Sequence, residues 1–232
     1  DYWVLEISSF QLDDIERFKP WIAVLTNVTP DHLDRYGYEI DNYAAAKFRI
    51  AENQGPEDYF IYCADDELTK KYFNRFPVRA QKLGFSLETR DGMTAWMEDT
   101  TIHVQMFNDD FDLNYDRMTV RGKHNAYNSM AAAIVSRVLD LRKDSIRESF
   151  TDFQNIEHRL EKVAVVRGIE FINDSKGTNV NSTWYALESV NKSMIWIAGG
   201  VDKGNDYSIL VPLVEKKVKT IIALGKDNRK IH

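Results

Sequence analysis

The 232-residue sequence contains one cysteine, Cys63, so it cannot form a disulfide within the chain. This scarcity favours a reducing compartment, and we expect a cytoplasmic protein. No apolar run approaches the roughly 18 residues that a membrane-spanning helix requires, and the first residues carry no secretory-signal pattern. Basic residues number 30 against 36 acidic ones, and the net charge of −6 argues against a nucleic-acid-binding surface. The charge and the lack of long apolar runs therefore argue against nucleic acid and membrane as partners. We expect small-molecule partners and a monomer.

Hydrophobic residues make up 44% of the chain and charged residues 28%, which is typical of a globular protein rather than a disordered one. The length suits one large domain or two small ones. The chain begins inside a strand-like pattern, Asp1 to Glu6, without an initiator Met, and it stops after a strand-and-turn pattern at Lys226 to His232. From these ends we expect a fragment of a longer protein.

Apolar segments alternate with helical patterns, which predicts an α/β fold. Strands are expected at Trp21–Val28 and Tyr59–Cys63 in a parallel sheet. Between Gln81 and Val120, short alternating segments are separated by hairpin signals such as Asp91-Gly92. That texture predicts a small antiparallel sheet added to the parallel one.

A linker is expected at Phe153–Glu161, because a second alternation of strands and helices begins after it. The alternation predicts a parallel, Rossmann-like sheet with right-handed crossovers. We therefore place a central domain at residues 1–156 and a C-terminal domain at residues 157–232.

Polar side chains follow two of the predicted strands, where open α/β sheets place ligands. The segment Tyr2–Ile7 predicts a short buried strand with Glu6 and Ser8 at its end. The next strand leads into Asp31 and His32. Both strand ends are therefore candidate positions for chemistry.

The stretch around His32 also has a plainer explanation. Thr29, Pro30 and Asp31 predict a helix start, with a hydroxyl cap, a proline in the first turn and a carboxylate near the positive end of the helix dipole. In that case His32 is only a surface residue of a capped turn. These residues alone leave both explanations open.

Further candidates lie on helices and in one loop. Lys47 shares a partly apolar helix face with Tyr43, at i, i+4 spacing. Asn125 and Asn128 occupy the first turn of a predicted long helix, facing whatever docks at its N-terminus. A polar loop, Asp174–Asn179, follows a strand of the second unit. Taken singly, each of these candidates also has a purely structural explanation, as a strand end, a solvated lysine or a helix cap.

Taken in order, these motifs form a specific set. The chain resembles the Mur ligase family of peptidoglycan synthesis, and the resemblance runs almost end to end, through Glu6–Gln11, Asn27–Arg35, Tyr43–Lys47, Gly122–Asn125, Glu157–Arg159, Asn173–Asn179 and Gly199–Lys203. The resemblance implies a P-loop-type central ATPase domain and a Rossmann-like, amino-acid-binding C-terminal domain, both truncated here. It implies an ATP-dependent ligase that adds D-glutamate to UDP-N-acetylmuramoyl-L-alanine through an acyl phosphate. The loop that begins at Asn173 is of the D-glutamate type.

The resemblance also implies a role for individual residues. Glu6 matches a ligand of a first Mg²⁺ that bridges the ATP phosphates, and His32 matches a ligand of a second Mg²⁺. Lys47 matches a carbamylated lysine, whose carbamate supplies the oxygen ligands that Mg²⁺ prefers. His32, Lys47 and Lys176 are the expected catalytic residues, and Lys176 matches a residue at the phosphoryl and substrate region.

The remaining matches concern nucleotide and substrate. The residues expected around ATP are Asn125, Asn128, Arg159 and, at the ribose, Asp174. Those expected at the substrates are Ser8, near the muramoyl group, and Thr178 and Lys203, at the carboxylates of D-glutamate.

Some parts of the family pattern are missing. The Gly-rich phosphate loop, the uridine-nucleotide domain and the end of the C-terminal domain lie outside this sequence, so we expect the isolated polypeptide to be inactive. One alternative is a folylpolyglutamate synthase-type ligase, against which the Asn173–Lys176 loop and the uninterrupted Asp31–Asp34 motif argue. Another is a non-catalytic nucleotide-binding scaffold domain, which the sequence upstream of Asp1 would distinguish.

Overall fold

The computed structural model describes residues 1–120, 122–153, 157–200 and 206–225. The chain divides into two compact units. The first comprises residues 1–118 and 125–152, and the second comprises residues 119–124 together with the chain from residue 153 onward. Among the described residues, no helix is both long enough and apolar enough to cross a membrane.

The first unit is built on one six-stranded sheet, in which the strands lie side by side in chain order. The strands are β1 (Ile22–Leu25), β2 (Tyr59–Cys63), β3 (Gln81–Ser86), β4 (Ala95–Glu98), β5 (Thr101–Met106) and β6 (Asp109–Asn114). β1 to β4 pair in parallel, whereas β4, β5 and β6 pair antiparallel. The predicted parallel sheet is confirmed, and the antiparallel addition is confirmed from β4 onward, within one continuous sheet. The predicted start of that addition at Gln81 is wrong: β3 pairs in parallel with both of its neighbours, so Asp91-Gly92 lies in a connection between parallel strands and is not a hairpin turn.

Helices cover this sheet on both faces. They are α1 (Ser9–Leu12), α2 (Ile40–Phe48), α3 (Glu67–Phe73), α4 (Lys123–Val138) and α5 (Lys143–Thr151). Adjacent residues of β2 enter different cores: Phe60 packs with residues of α2 and α3, and Ile61 packs with residues of α4 and of β3 to β6. Because successive side chains of a strand point to opposite faces, β2 is buried on both sides. Its carboxyl end is therefore fixed by two cores.

The predicted strand at Tyr2–Ile7 is wrong for this structure. These residues form no strand, and the side chains of Trp3 and Val4 are 90% and 94% exposed. A segment rich in aromatic and β-branched residues becomes a strand only if a neighbour supplies hydrogen bonds and cover. Within the described chain, β1 is an outer strand of the sheet, and this segment does not pair with it.

The described residues of the second unit form two small sheets and two α-helices. Its elements are β7 (Glu161–Val166), β8 (Ile169–Asn173), α6 (Val180–Ser189), β9 (Met194–Gly199), α7 (Val211–Lys217) and β10 (Val218–Leu224). β9 and β10 pair in parallel, which confirms the predicted alternation of strands and helices. β7 and β8 form a separate antiparallel hairpin, turning at Arg167 and Gly168, both with positive φ. A two-residue hairpin turn of type I′ requires positive φ at both of its central residues.

Candidate active site

The loop after β1 carries Asp31 and His32, but it does not begin a helix at Thr29 as predicted. Only a single 3₁₀ turn follows, Leu33–Tyr36, with His32 at its cap position and no side-chain cap. The Thr29 hydroxyl instead donates to Oδ1 of Asn27 at 3.0 Å. A helix from Thr29 is interrupted at His32, whose backbone is left-handed, and Gly37, at φ 66°, then ends the following turn after four residues.

His32 is held in an unusual conformation beside an acidic side chain. Its φ is 50°, in the left-handed region that non-glycine residues rarely adopt. Its backbone N–H donates to Oδ1 of Asp31 at 2.9 Å, and its Nε2 lies 3.7 Å from the same oxygen. The side chain is 42% exposed. The backbone of His32 is therefore held by Asp31, while the exposed part of its imidazole is open to a ligand.

The ring of Phe10 supports the imidazole from α1. The two ring centroids are 5.0 Å apart in an edge-on arrangement, and the Arg35 guanidinium lies 4.8 Å from the Phe10 centroid. Phe10 belongs to the same short motif as Glu6 and Ser8, so this contact joins two motifs that are separate in sequence.

We expect Phe10→Ala to change the chemical shifts of the His32 imidazole in ¹H–¹³C spectra and to lower the free energy of unfolding by about 1 kcal/mol, because the aromatic contact is lost. Phe107→Ala is the matched control, since Phe107 is an exposed aromatic residue of the same unit whose ring contact is with Tyr59. Unchanged His32 signals in Phe10→Ala would contradict this positioning role.

Lys47 lies on α2 with its side chain partly buried. Its Nζ is 5.2 Å from the centroid of the Tyr43 ring. Burial lowers the pKa of the Lys47 ammonium, and the negative charges of Asp31 and Asp66 partly oppose this shift. The pKa of Tyr43 is raised to about 12, chiefly by burial and also by the charge of Asp31. At a given pH, a larger fraction of Lys47 is therefore in the neutral amine form than of a surface lysine.

Glu6 and Ser8 lie on the N-terminal segment, and both are exposed. Glu6 lines a shallow pocket of about 270 Å³ with residues of the following turn. Ser8 caps α1: its Oγ accepts from the Gln11 N–H at 3.3 Å, while its own N–H donates to Gln11 Oε1 at 2.9 Å. Within the described chain, no three His, Cys, Asp or Glu residues lie together so that they could hold a metal. Neither Glu6 nor His32 therefore belongs to such a group of three in the described residues.

The first turns of α4 carry Asn125 and Asn128. Asn125 is partly buried, and Asn128 is exposed. Between them, Tyr127 donates from its hydroxyl to Oδ2 of Asp65 at 2.9 Å. This contact fixes the turn of the helix that holds both asparagines.

In the second unit, the Asn173–Lys176 loop is tied to the segment that carries Arg159. Oδ1 of Asp174 accepts from the Leu160 N–H at 3.0 Å, and the Lys176 N–H donates to the carbonyl of His158 at 3.1 Å. His158 and Leu160 have positive φ values of 66° and 47°. The Leu160 bond therefore brings Asp174 to the segment that carries Arg159. Burial raises the pKa of Asp174, while the Leu160 N–H and the positive charge of Arg159 partly oppose this shift.

For the other predicted residues of this unit, the structure gives exposure or nothing. The side chains of Lys176 and Thr178 are exposed. Lys203 lies outside the described residues.

Sequence reasoning missed three side chains that organise these sites. Asp65 and Asp66 follow β2 after Ala64, and the strand-end rule that selected His32 applies to them equally. Phe10 carries no local sign of its role, because its partner His32 is remote in sequence.

Comparison with known proteins bears on the whole chain. The sequence profile of the Mur ligase middle domain matches residues 1–136. The chain is 57% identical over 231 residues to the UDP-N-acetylmuramoylalanine–D-glutamate ligase of Christiangramia forsetii, covering all of this chain and 52% of that protein. Two relatives of the same name, from Porphyromonas gingivalis and Bacteroides fragilis, are 48% and 47% identical with the same coverage. The chain spans about half the length of the curated relatives it matches.

Solved structures share the fold at lower identity. MurF from Acinetobacter baumannii superposes with a TM-score of 0.68 at 20% identity, over 90% of this chain and 47% of that one. The MurF ligase of Thermotoga maritima, solved in complex with ADP, gives 0.61 at 18% identity, over 92% and 54%. At such identities the likeness establishes the fold alone.

Proposed function

The chain belongs to the Mur ligase family, and from this premise we propose that it forms part of an ATP-dependent ligase that adds D-glutamate to UDP-N-acetylmuramoyl-L-alanine in peptidoglycan synthesis. The name shared by the three relatives described above supports the choice of D-glutamate. The structural observation that carries the proposal is Lys47, a partly buried lysine whose pKa is lowered by burial, on the helix that follows the His32 turn.

In the proposed reaction, the γ-phosphoryl group of ATP passes to the substrate carboxylate and ADP leaves. The amine of D-glutamate then attacks the acyl phosphate, phosphate leaves, and an amide bond forms. Because ATP, the carboxylate substrate and D-glutamate are all anionic, cationic groups must hold them in position and neutralise developing charge. Lys176, with its exposed ammonium, is proposed at the phosphoryl and substrate region.

The donors near Lys47 fit a hard divalent cation in part. His32 offers an imidazole open to solvent, and Asp31 has a carboxylate oxygen 3.7 Å from it. Lys47 would add anionic oxygens once it carries a carbamate. Glu6, an exposed carboxylate, is proposed for a separate Mg²⁺ at the ATP phosphates. Bound Mg²⁺ would neutralise charge during phosphoryl transfer.

We assign residues 1–156 to the central ATPase domain and residues 157–232 to the amino-acid-binding domain. The residues proposed to contact ATP are Asn125, Asn128, Arg159 and Asp174. The residues proposed to contact the two substrates are Ser8 for the muramoyl group, and Thr178 and Lys203 for the carboxylates of D-glutamate. We place the reaction in the cytoplasm and propose that the enzyme acts as a monomer.

The proposal is testable in a ligase chimera, defined as the Christiangramia forsetii relative with its aligned region replaced by residues 1–232. With ¹³C-labelled bicarbonate and Mg²⁺, we expect a carbamate signal in the ¹³C NMR spectrum of the parent chimera and none in Lys47→Met. The signal should increase as the pH rises toward the lowered pKa of Lys47, because only the neutral amine reacts with CO₂.

Lys71→Met provides the control for this measurement. Lys71 is an exposed lysine whose Nζ lies 4.8 Å from the centroid of the Tyr72 ring, a local arrangement like that of Lys47 over Tyr43 but with the lysine pKa raised rather than lowered. The carbamate signal should persist in this variant. A signal that also persists in Lys47→Met, or no signal in the parent, would refute the assignment of Lys47.

A further inference from the structure

Two adjacent carboxylates, Asp65 and Asp66, follow β2 at the carboxyl edge of the sheet. Oδ2 of Asp66 accepts three hydrogen bonds: from the Thr69 N–H at 2.8 Å, from the Thr69 hydroxyl at 2.6 Å and from the Val28 N–H at 3.1 Å. The first two cap α3. The third reaches across 38 residues of sequence to the loop after β1.

Asp65 makes its contacts in the other direction. Its carboxylate accepts from the Ser86 hydroxyl and, at 2.7 Å, from the Leu87 N–H, which ties it to the end of β3. It also accepts from the Tyr127 hydroxyl at 2.9 Å, which ties it to α4. These contacts all lie within the first unit.

Each carboxylate therefore holds a different part of the candidate active site. Val28 lies in the loop that presents Asp31 and His32, and the charge of Asp66 also acts on Lys47. Tyr127 lies between Asn125 and Asn128, the residues proposed to contact ATP. Because β2 is buried on both faces, its end is a rigid point from which both parts can be fixed.

We propose that Asp65 and Asp66 are positioning residues that divide the candidate active site between them, with Asp66 fixing the metal-site loop through Val28 and Asp65 fixing the nucleotide-site helix through Tyr127. This inference rests on the proposed function. It differs from a purely structural role, in which loss of either carboxylate would weaken both ligands alike.

Amide hydrogen exchange tests the positioning without any ligand. In the ligase chimera, Asp66→Ala should speed exchange at the Val28 amide and leave the Leu87 amide unchanged, whereas Asp65→Ala should do the reverse. Each variant is the matched control for the other, since the two residues are adjacent and follow the same strand. Equal loss of protection at both amides in either variant would overturn the division of roles.

Ligand titration tests the functional half, with Mn²⁺ as the metal probe and ADP as the nucleotide probe. Mutation of a group that orients a metal ligand through a hydrogen bond typically lowers metal affinity 10–100-fold. We therefore expect Asp66→Asn to weaken Mn²⁺ binding about 10-fold and to leave ADP binding in the absence of metal unchanged. Asp65→Asn should weaken metal-free ADP binding to a similar extent and leave Mn²⁺ binding unchanged. Tyr127→Phe should reproduce the Asp65→Asn effect while leaving the Leu87 amide protected.

The outcomes separate this inference from the function on which it rests. If the parent chimera binds neither Mn²⁺ nor ADP, the proposed function fails, and hydrogen exchange still decides whether each carboxylate holds its own segment. If the parent binds both probes and each variant weakens both equally, or weakens neither, the positioning roles are wrong.

Discussion

Replacement of Lys47 by methionine in the ligase chimera is expected to lower the rate of D-glutamate ligation by about 10²- to 10³-fold, the loss typical of removing one group that stabilises transition-state charge. Methionine is one atom shorter than lysine and keeps most of the apolar contacts of the side chain in its partly buried position. It cannot carry a carbamate, so the oxygen ligands proposed beside His32 disappear. Phosphate release in the presence of all three substrates measures the effect.

Lys71→Met is the control for this loss of activity, and it should ligate within about twofold of the parent, as expected for a surface substitution away from a site. Lys71 lies on α3 over the Tyr72 ring, so the control removes a lysine–aromatic contact without touching the candidate site. A Lys47→Met chimera that ligates as fast as the Lys71→Met chimera would exclude Lys47 from the reaction.

Phe85→Ala is expected to lower the free energy of unfolding of the chain by about 3–5 kcal/mol, the range for truncating a phenylalanine in a packed core. Phe85 is 0% exposed on β3, inside the core that joins the sheet to α4 and α5. Its ring lies 6.2 Å from that of Tyr127, so the cavity would open directly beneath the nucleotide-site helix. Urea denaturation measures the change.

The same truncation at Phe107 should cost much less, because that ring is 58% exposed and leaves no enclosed cavity. If Phe85→Ala and Phe107→Ala destabilise the chain equally, the core of the first unit is not packed as described.

Much of the fold could be predicted from local pattern. The strand Tyr59–Cys63 was predicted with the bounds that the structure gives it, because an apolar run bounded by polar residues suffices to define a strand buried on both faces. The hairpin signal at Asp91-Gly92 was wrong, because the two strands that it connects, β3 and β4, pair in parallel, and a turn dipeptide does not report how its flanking strands pair. The segment Tyr2–Ile7 had the composition of a strand, but pairing depends on a neighbour, and composition does not report whether one is present.

The candidate site likewise has a part that local pattern predicts and a part that it does not. Residues on strand-end loops, such as His32 and Asp174, could be selected because sheet geometry determines where such loops lie. The contacts that orient them could not be predicted. The contact of Phe10 with His32, the bond from Asp66 to the Val28 amide and the bond from Tyr127 to Asp65 all join residues far apart in sequence.

The most direct test of the central claim is incorporation of radiolabelled D-glutamate into UDP-N-acetylmuramoyl-L-alanine by the ligase chimera, with and without ATP. The proposed function predicts that the chimera incorporates D-glutamate only when ATP is present, and that it does not incorporate L-alanine or diaminopimelate in its place. It also predicts no incorporation by residues 1–232 alone. A chimera that folds and binds ATP but incorporates no D-glutamate, or a chain that incorporates it unaided, would contradict the account.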